Sequence, residues 1–252
     1  RTVFRPRPGY INFHIDYAGI EMRLFIHYSG EESLIKIANV KDTMPMGPGD
    51  VHLPATILFY GRRFTEETNP KVRKSLRNAS KNGNFAAGGG AGAKRLAQVL
   101  SLSSQEMQIK LALYKQTFPR LANLAENNAR FVRENGYIET AFGRHIHMPK
   151  REAYAATINL SQATAGEVLK RAQVAVANYL IKATSNEVQI LIPIHDELVI
   201  EYPRARLKDA PEILKGICDN MTEIFPGRFK VPLAAEVQYA TVDWEHKKDW
   251  KA

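Results

Sequence analysis

The chain has 252 residues, 44% of them apolar and 24% charged, the balance of a globular protein and not of a disordered one. Thirty-five Lys and Arg against 26 Asp and Glu give a net charge of +9, no run approaches the ~18 apolar residues of a membrane span, and residues 1–8 lack a secretion signal. The single cysteine, Cys218, excludes an intrachain disulfide and a cysteine-based zinc site, so a cytoplasmic protein of one large or two small domains is expected.

Residues 10–16, Tyr10-Ile-Asn-Phe-His-Ile-Asp16, alternate apolar and polar side chains and predict a strand ending in a carboxylate. From Thr68 through Gln105 there is no acidic residue, while Lys71, Arg73, Lys74, Arg77, Lys81, Lys94 and Arg95 all fall there, which points to a phosphate-bearing partner. A helix is predicted over about 70–90. On it Arg77, Lys81 and Phe85 would share a stripe ~80° wide, two cations and an aromatic suited to a triphosphate and a base or sugar. Asn78, Ser80, Asn82, Gly83 and Asn84 are poor helix formers, so tertiary contacts must hold this helix, which could then swing. Gly88-Gly-Gly-Ala-Gly-Ala-Lys94 is not a phosphate-binding P-loop, because Ala93 and Arg95 stand where Gly and Ser/Thr are required; it reads as a flexible helix terminus.

Ser103-Ser-Gln-Glu106 is a capping box opening a helix to about 117, which Phe118-Pro119 breaks before a second helix to about 135. Residues 136–148 read as a turn and a short hairpin, and 159–183 as a long amphipathic helix. His145 and His147 have no third ligand at a fitting spacing and read as surface histidines. Strands over 188–194 and 198–202 flank His195-Asp196-Glu197, a hairpin with three polar residues at its tip. A helix over about 210–225 and an alternating strand over 231–239 complete the series. Strands at both ends with helices between them make the class α+β.

Asp16 ends one strand and Asp196 lies at a hairpin tip about 180 residues later. If the strands are neighbours, the carboxylates converge at one sheet edge, as in sites that bind two Mg²⁺ ions ~4 Å apart for phosphoryl transfer. Strand-end aspartates are also ordinary turn formers.

Asp16-Tyr17-Ala18-Gly19-Ile20-Glu21-Met22-Arg23 resembles motif A of the family A DNA polymerases, the bacterial polymerase I and T7-like phage group. Arg77-x3-Lys81-x3-Phe85 resembles their motif B, and Ile194-His195-Asp196-Glu197-Leu198-Val199 their motif C. Gly49-Asp50-Val51-His52, Glu139-Thr-Ala-Phe-Gly-Arg144, Gln162-x-x-Ala165-Gly166 and Val231-Pro-Leu-x-x-Glu236-Val237 are weaker matches between them, so the resemblance runs end to end. It implies a right-hand palm, an antiparallel sheet with packed helices, over 1–44 and 149–252, interrupted by helical fingers over 45–148. Asp16 and Asp196 would be the catalytic, metal-binding carboxylates for two Mg²⁺ (or Mn²⁺). Arg77, Lys81 and His52 would hold the dNTP phosphates, Phe85 and Tyr17 would contact the nucleotide, and Glu21 would exclude a ribose 2′-OH. His195, Gln162 and Arg144 would contact primer–template DNA, and Glu197 would be a metal-site neighbour or a structural partner.

Two positions depart from the motifs. Gly89 stands for the tyrosine of the usual Tyr-Gly pair after motif B, whose glycine is kept as Gly90, and Gly19 replaces the glutamine of motif A. The chain opens only about 15 residues before Asp16. Thumb and 3′–5′ exonuclease are therefore expected to be absent, and a second polypeptide or a removed N-terminal region to supply them. The expected function is template-directed DNA synthesis. A single-subunit RNA polymerase-like enzyme and a non-catalytic nucleic-acid-binding subunit of the same fold are the alternatives.

Overall fold

The computed structural model describes residues 2–40 and 45–250. The chain opens with β1 (Tyr10–Tyr17), then α1 (Ile20–Ser29), α2 (Glu32–Ala38), α3 (Leu53–Tyr60), α4 (Arg62–Thr65), α5 (Pro70–Gly88), α6 (Ala93–Leu100), α7 (Ser104–Thr117) and α8 (Pro119–Asn135). A short hairpin, β2 (Tyr137–Glu139) and β3 (His145–His147), leads to α9 (Ala156–Thr184). The chain continues with β4 (Gln189–Ile194), β5 (Glu197–Pro203), α10 (Ala210–Thr222), β6 (Ala235–Ala240) and β7 (Lys248–Asp249). The class is α+β, as the pattern predicts.

Two compact units divide the chain. The first comprises residues 1–20, 165–228 and 233–252, the second 21–164 and 229–232. These boundaries fall inside the first turn of α1 and within α9. They mark compact packing and do not bear on the expected limits at 44/45 and 148/149, of which residue 44 lies outside the described residues.

Unit 1 is built on a five-stranded antiparallel sheet in the order β4-β5-β1-β6-β7. Central β1 pairs with β5 from Tyr10↔Pro203 to Asp16↔Glu197 and with β6 from Asn12↔Ala240 to Tyr17↔Ala235. Phe13, Ile15, Leu198, Ile200 and Tyr202 are fully buried, as are Val168, Ala172 and Val176 of α9 and Ile217 and Met221 of α10. The alternation of β1 does not mark a wet face: its polar Asn12 and His14 are buried as well. Residues 231–239 form a strand only from Ala235 onward. Pro232 has no N–H to give a ladder, its carbonyl accepts from Arg23 Nη1 at 2.8 Å, and Val231 belongs to the core of unit 2.

Unit 2 is helical apart from the β2–β3 hairpin. Phe25, Phe59, Phe64, Leu96, Met107, Tyr114 and Leu121 lie at the centre of its main core. Its helix ends follow the expected chemistry. Ser103 Oγ accepts from Glu106 N at 3.1 Å, and Gly136 closes α8 at φ +79°, a left-handed backbone that a Cβ would strain. Asn69 caps α5 by accepting from Lys71 N at 3.0 Å, with Pro70 beginning the helix. Gly88 ends it. Among the described residues, no helix is long and apolar enough to cross a membrane.

Candidate active site

Some of the sequence-predicted residues gather in two clusters, one in each unit, to neither of which Glu21, Gln162 and Arg144 are assigned. In unit 1, β1 delivers Asp16 to the sheet edge and the β4–β5 turn delivers Asp196. That turn has two residues, His195 and Asp196; Glu197 is the first residue of β5 and not part of the tip. His195 sits at φ +54°, the left-handed conformation that tight hairpins use. Tyr17 N donates to Asp196 O at 3.2 Å, fixing the turn against the end of β1.

The carboxyl groups of Asp16 and Asp196 are close enough for each to act on the other. Burial, then the charges of Asp196 and Glu197, push the Asp16 pKa up to about 7, against the opposing pull of Lys247. Asp16 Oδ1 is buried without a hydrogen-bond partner. A divalent cation fits this pair, because it would satisfy that oxygen and favour the ionised form that burial disfavours. No group of three or more His, Cys, Asp or Glu side chains among the described residues is arranged to hold a metal. Two carboxylates are enough for Mg²⁺ when substrate phosphates complete the shell.

Glu197 is engaged elsewhere. Its Oε1 is hydrogen-bonded to His14 Nδ1, and its Oε2 accepts from Lys247 Nζ at 3.0 Å. Burial alone would raise its pKa, but the contacts from His14 and Lys247 outweigh burial and hold it below the usual carboxylate range. Glu197 is thus held by His14 and Lys247 while its charge also acts on Asp16. Tyr17 is buried, and its hydroxyl donates to Met221 O at 2.6 Å inside unit 1. His195 is exposed at the turn.

In unit 2, α5 carries Arg77, Lys81 and Phe85 on successive turns. Arg77 makes a two-point fork with Asp50, Nε to Oδ2 and Nη2 to Oδ1, both at 2.9 Å. Asp50 also accepts from Met46 N and His52 N, at 2.8 and 2.9 Å. Burial alone would raise its pKa, but the Arg77 and backbone hydrogen bonds lower it. Lys81 is exposed, and Phe85 is half-buried, stacked on Phe25 with centroids 5.0 Å apart and planes 7° apart. His52, expected to help hold the phosphates, is buried beside Arg77. Only 4% exposed, it has a pKa driven down to about 3 by burial and then by the Arg77 charge, so it is a neutral imidazole. Its Nδ1 lies 3.3 Å from Asn84 Nδ2, while Asn84 Oδ1 accepts from the Tyr114 hydroxyl at 2.7 Å. Glu21 lies half-buried in the first turn of α1, Gln162 is exposed on α9, and Arg144 is exposed just before β3.

Sequence reasoning missed His14, Lys247, Asp50 and Asn84 as members of these clusters. Asp50 stood inside a quoted motif without a role. His14 was signalled by its position two residues before Asp16 on the same face of β1. Nothing in the local pattern marks Lys247.

The description DNA polymerase family A matches residues 1–246. The chain is 29% identical to the thermostable DNA polymerase I of Thermus aquaticus, covering 99% of the chain and 29% of that protein. Against the Thermus filiformis enzyme of the same name the identity is 30%, with the same coverage. A solved structure of the POL domain of Pol1 from M. smegmatis, in complex with DNA primer-template and dNTP, superposes with a TM-score of 0.76 at 26% identity, covering 96% of this chain and 41% of that one. The chain thus spans about 29% of the length of these curated relatives.

Proposed function

Because the chain belongs to DNA polymerase family A, we propose that it is the palm-and-fingers portion of a template-directed DNA polymerase. On this reading the palm comprises residues 1–44 and 149–252 and the fingers 45–148. The reaction is attack of a primer 3′-hydroxyl on the α-phosphate of a dNTP, forming the new phosphodiester and releasing pyrophosphate with loss of the hydroxyl proton. The observation that carries the reading is the meeting of Asp16 and Asp196, with one buried Asp16 oxygen lacking a protein partner.

Two Mg²⁺ ions held by Asp16 and Asp196 would supply Lewis acidity at the attacking and leaving oxygens. The other residues bind and orient. Arg77 offers the triphosphate the Nη1 edge that its Asp50 fork does not use, and Lys81 adds a mobile point charge. Neutral His52 steadies this arrangement through Asn84. Phe85, braced on Phe25, presents a flat face to the nucleotide, and Glu21 crowds out a ribose 2′-hydroxyl. His195, Gln162 and Arg144 contact the primer–template, a partner of the kind named for the M. smegmatis structure. A thumb-bearing polypeptide or segment that adds to the duplex grip remains part of the proposal.

Primer extension with dNTPs and Mg²⁺ tests this reading. Asp16→Asn or Asp196→Asn should lower incorporation by about 10²–10³-fold or more, with duplex retention little changed. Lack of extension by the unaltered chain under any metal and salt condition would favour the binding-subunit alternative, which Gly89 in place of the usual tyrosine supports. Faster incorporation of NTPs than of dNTPs would favour the ribonucleotide-using alternative.

A further inference from the structure

Lys247 comes to Glu197 from 50 residues further along the chain and is delivered by a short, firmly anchored segment. Asp243 caps the single turn before it, Oδ1 accepting from Glu245 N and His246 N at 3.1 and 3.2 Å. Trp244 N donates to Phe4 O at 3.1 Å, and the residues that follow pair as β7 with β6. The Lys247 side chain is 20% exposed, and its ammonium lies 5.9 Å from the Trp244 ring centroid. Anchored on this turn, it makes a contact that a freely moving surface lysine would not hold.

The contact has an electrostatic consequence. Asp16, Asp196 and Glu197 are three carboxylates in one small region, Glu197 being both the neighbour of Asp196 in sequence and the partner of Asp16 in the ladder. His14 takes one oxygen of Glu197 and Lys247 takes the other. Both oxygens are therefore occupied. A cation arriving at Asp16 and Asp196 meets two available carboxylates and one that is already neutralised.

Resting on the metal-pair reading above, we propose that Lys247 is a positioning residue for that pair: its ammonium withdraws Glu197 from the cation site and weakens divalent-cation binding there. Without Lys247 a full negative charge would stand beside Asp196, and its carboxylate could turn toward the ion. Attraction of a doubly charged ion by one further unit charge at this range is worth on the order of tenfold in affinity. A weaker resting affinity suits a site whose ions are completed by incoming phosphates and leave with pyrophosphate.

The test is Mn²⁺ titration of the full 252-residue chain, free ion being read by electron paramagnetic resonance, with no nucleotide or DNA present. Lys247→Met should bind Mn²⁺ about tenfold more tightly, and Lys247→Arg should stay within about twofold of the unaltered chain. Glu197→Gln, which leaves the ammonium uncompensated, should bind several-fold more weakly, and Lys247→Met with Glu197→Gln should return close to the starting affinity. Thermal unfolding without metal identifies any variant that fails to fold, and the Glu197→Gln arm then decides alone. Equal or weaker binding by folded Lys247→Met, or unchanged binding by Glu197→Gln, overturns the proposal. Absence of Mn²⁺ binding by the unaltered chain, or binding that survives Asp16→Asn with Asp196→Asn, overturns the metal pair itself and this inference with it.

Discussion

A carboxyl group whose pKa rises to about 7 on folding opposes the fold at neutral pH. The folded Asp16 binds its proton more tightly than the unfolded chain, whose value lies near 3.8. Its stabilising effect is therefore complete below about pH 4 and is lost as pH rises through 7. Asp16→Asn removes that loss. With allowance for partial exposure, the variant should be about 1–3 kcal/mol more stable at pH 8 without divalent cation, a rise in Tm of roughly 3–8 °C. Scanning calorimetry at pH 8 and pH 4 should show the advantage shrinking as pH falls. The placement of Asp16 and Asp196 was legible in the sequence, because both stand at ends of apolar β segments. The His14–Glu197–Lys247 contact was not, since it spans 183 residues on one side and 50 on the other and follows no helical or strand period.

Helix α5 looks wrong for a helix until its neighbours are considered. A Cβ at Gly83 would lie 2.6 Å from Leu100 Cδ2, and one at Gly88 would lie 2.7 Å from Phe25 Cδ2. Asn84 is equally constrained, bonded at once to His52 and Tyr114. These residues answer to tertiary contacts, as their low propensity implied; the swing expected of the helix is a separate proposal. Gly88→Ala should therefore destabilise by about 1–3 kcal/mol, although alanine is the better helix former by ~1 kcal/mol, because Phe25 is fully buried and stacked on Phe85. Asn84→Ala should cost about 1–3 kcal/mol by leaving the Tyr114 hydroxyl buried without its acceptor. Urea unfolding of both variants checks the signs. At this scale the long helices and hairpins could be read from caps, periodicity and turn residues. The start of β6 could not, because alternation over 231–239 does not reveal that Pro232 serves a different unit.

If the chain binds duplex as proposed, its excess of nine positive charges should dominate that affinity at low salt. Not every cation in the acid-free stretch is available: Arg77 is forked to Asp50, and Arg73 lies over the Phe64 ring at 4.9 Å. Lys71 and Lys74 are exposed. Replacing both by Gln should flatten the slope of log affinity against log salt by up to about 1.8, since each phosphate contact contributes ~0.9. Replacing Arg73 should leave that slope nearly unchanged and lower stability instead, and fluorescence anisotropy across a salt series separates the two. The α+β class was legible because apolar alternation at both ends frames a helical middle. The limits of the two units were not, because they cut α1 and α9 where no change of composition marks them. Strand β1, flanked on both sides for most of its length, has a further consequence. Its amides can trade hydrogen for deuterium only when the sheet itself opens, so Asp16 is tethered to the slowest-breathing backbone of its unit. On the proposed function, motion would come from groups around that acid, while it serves as the stationary reference point.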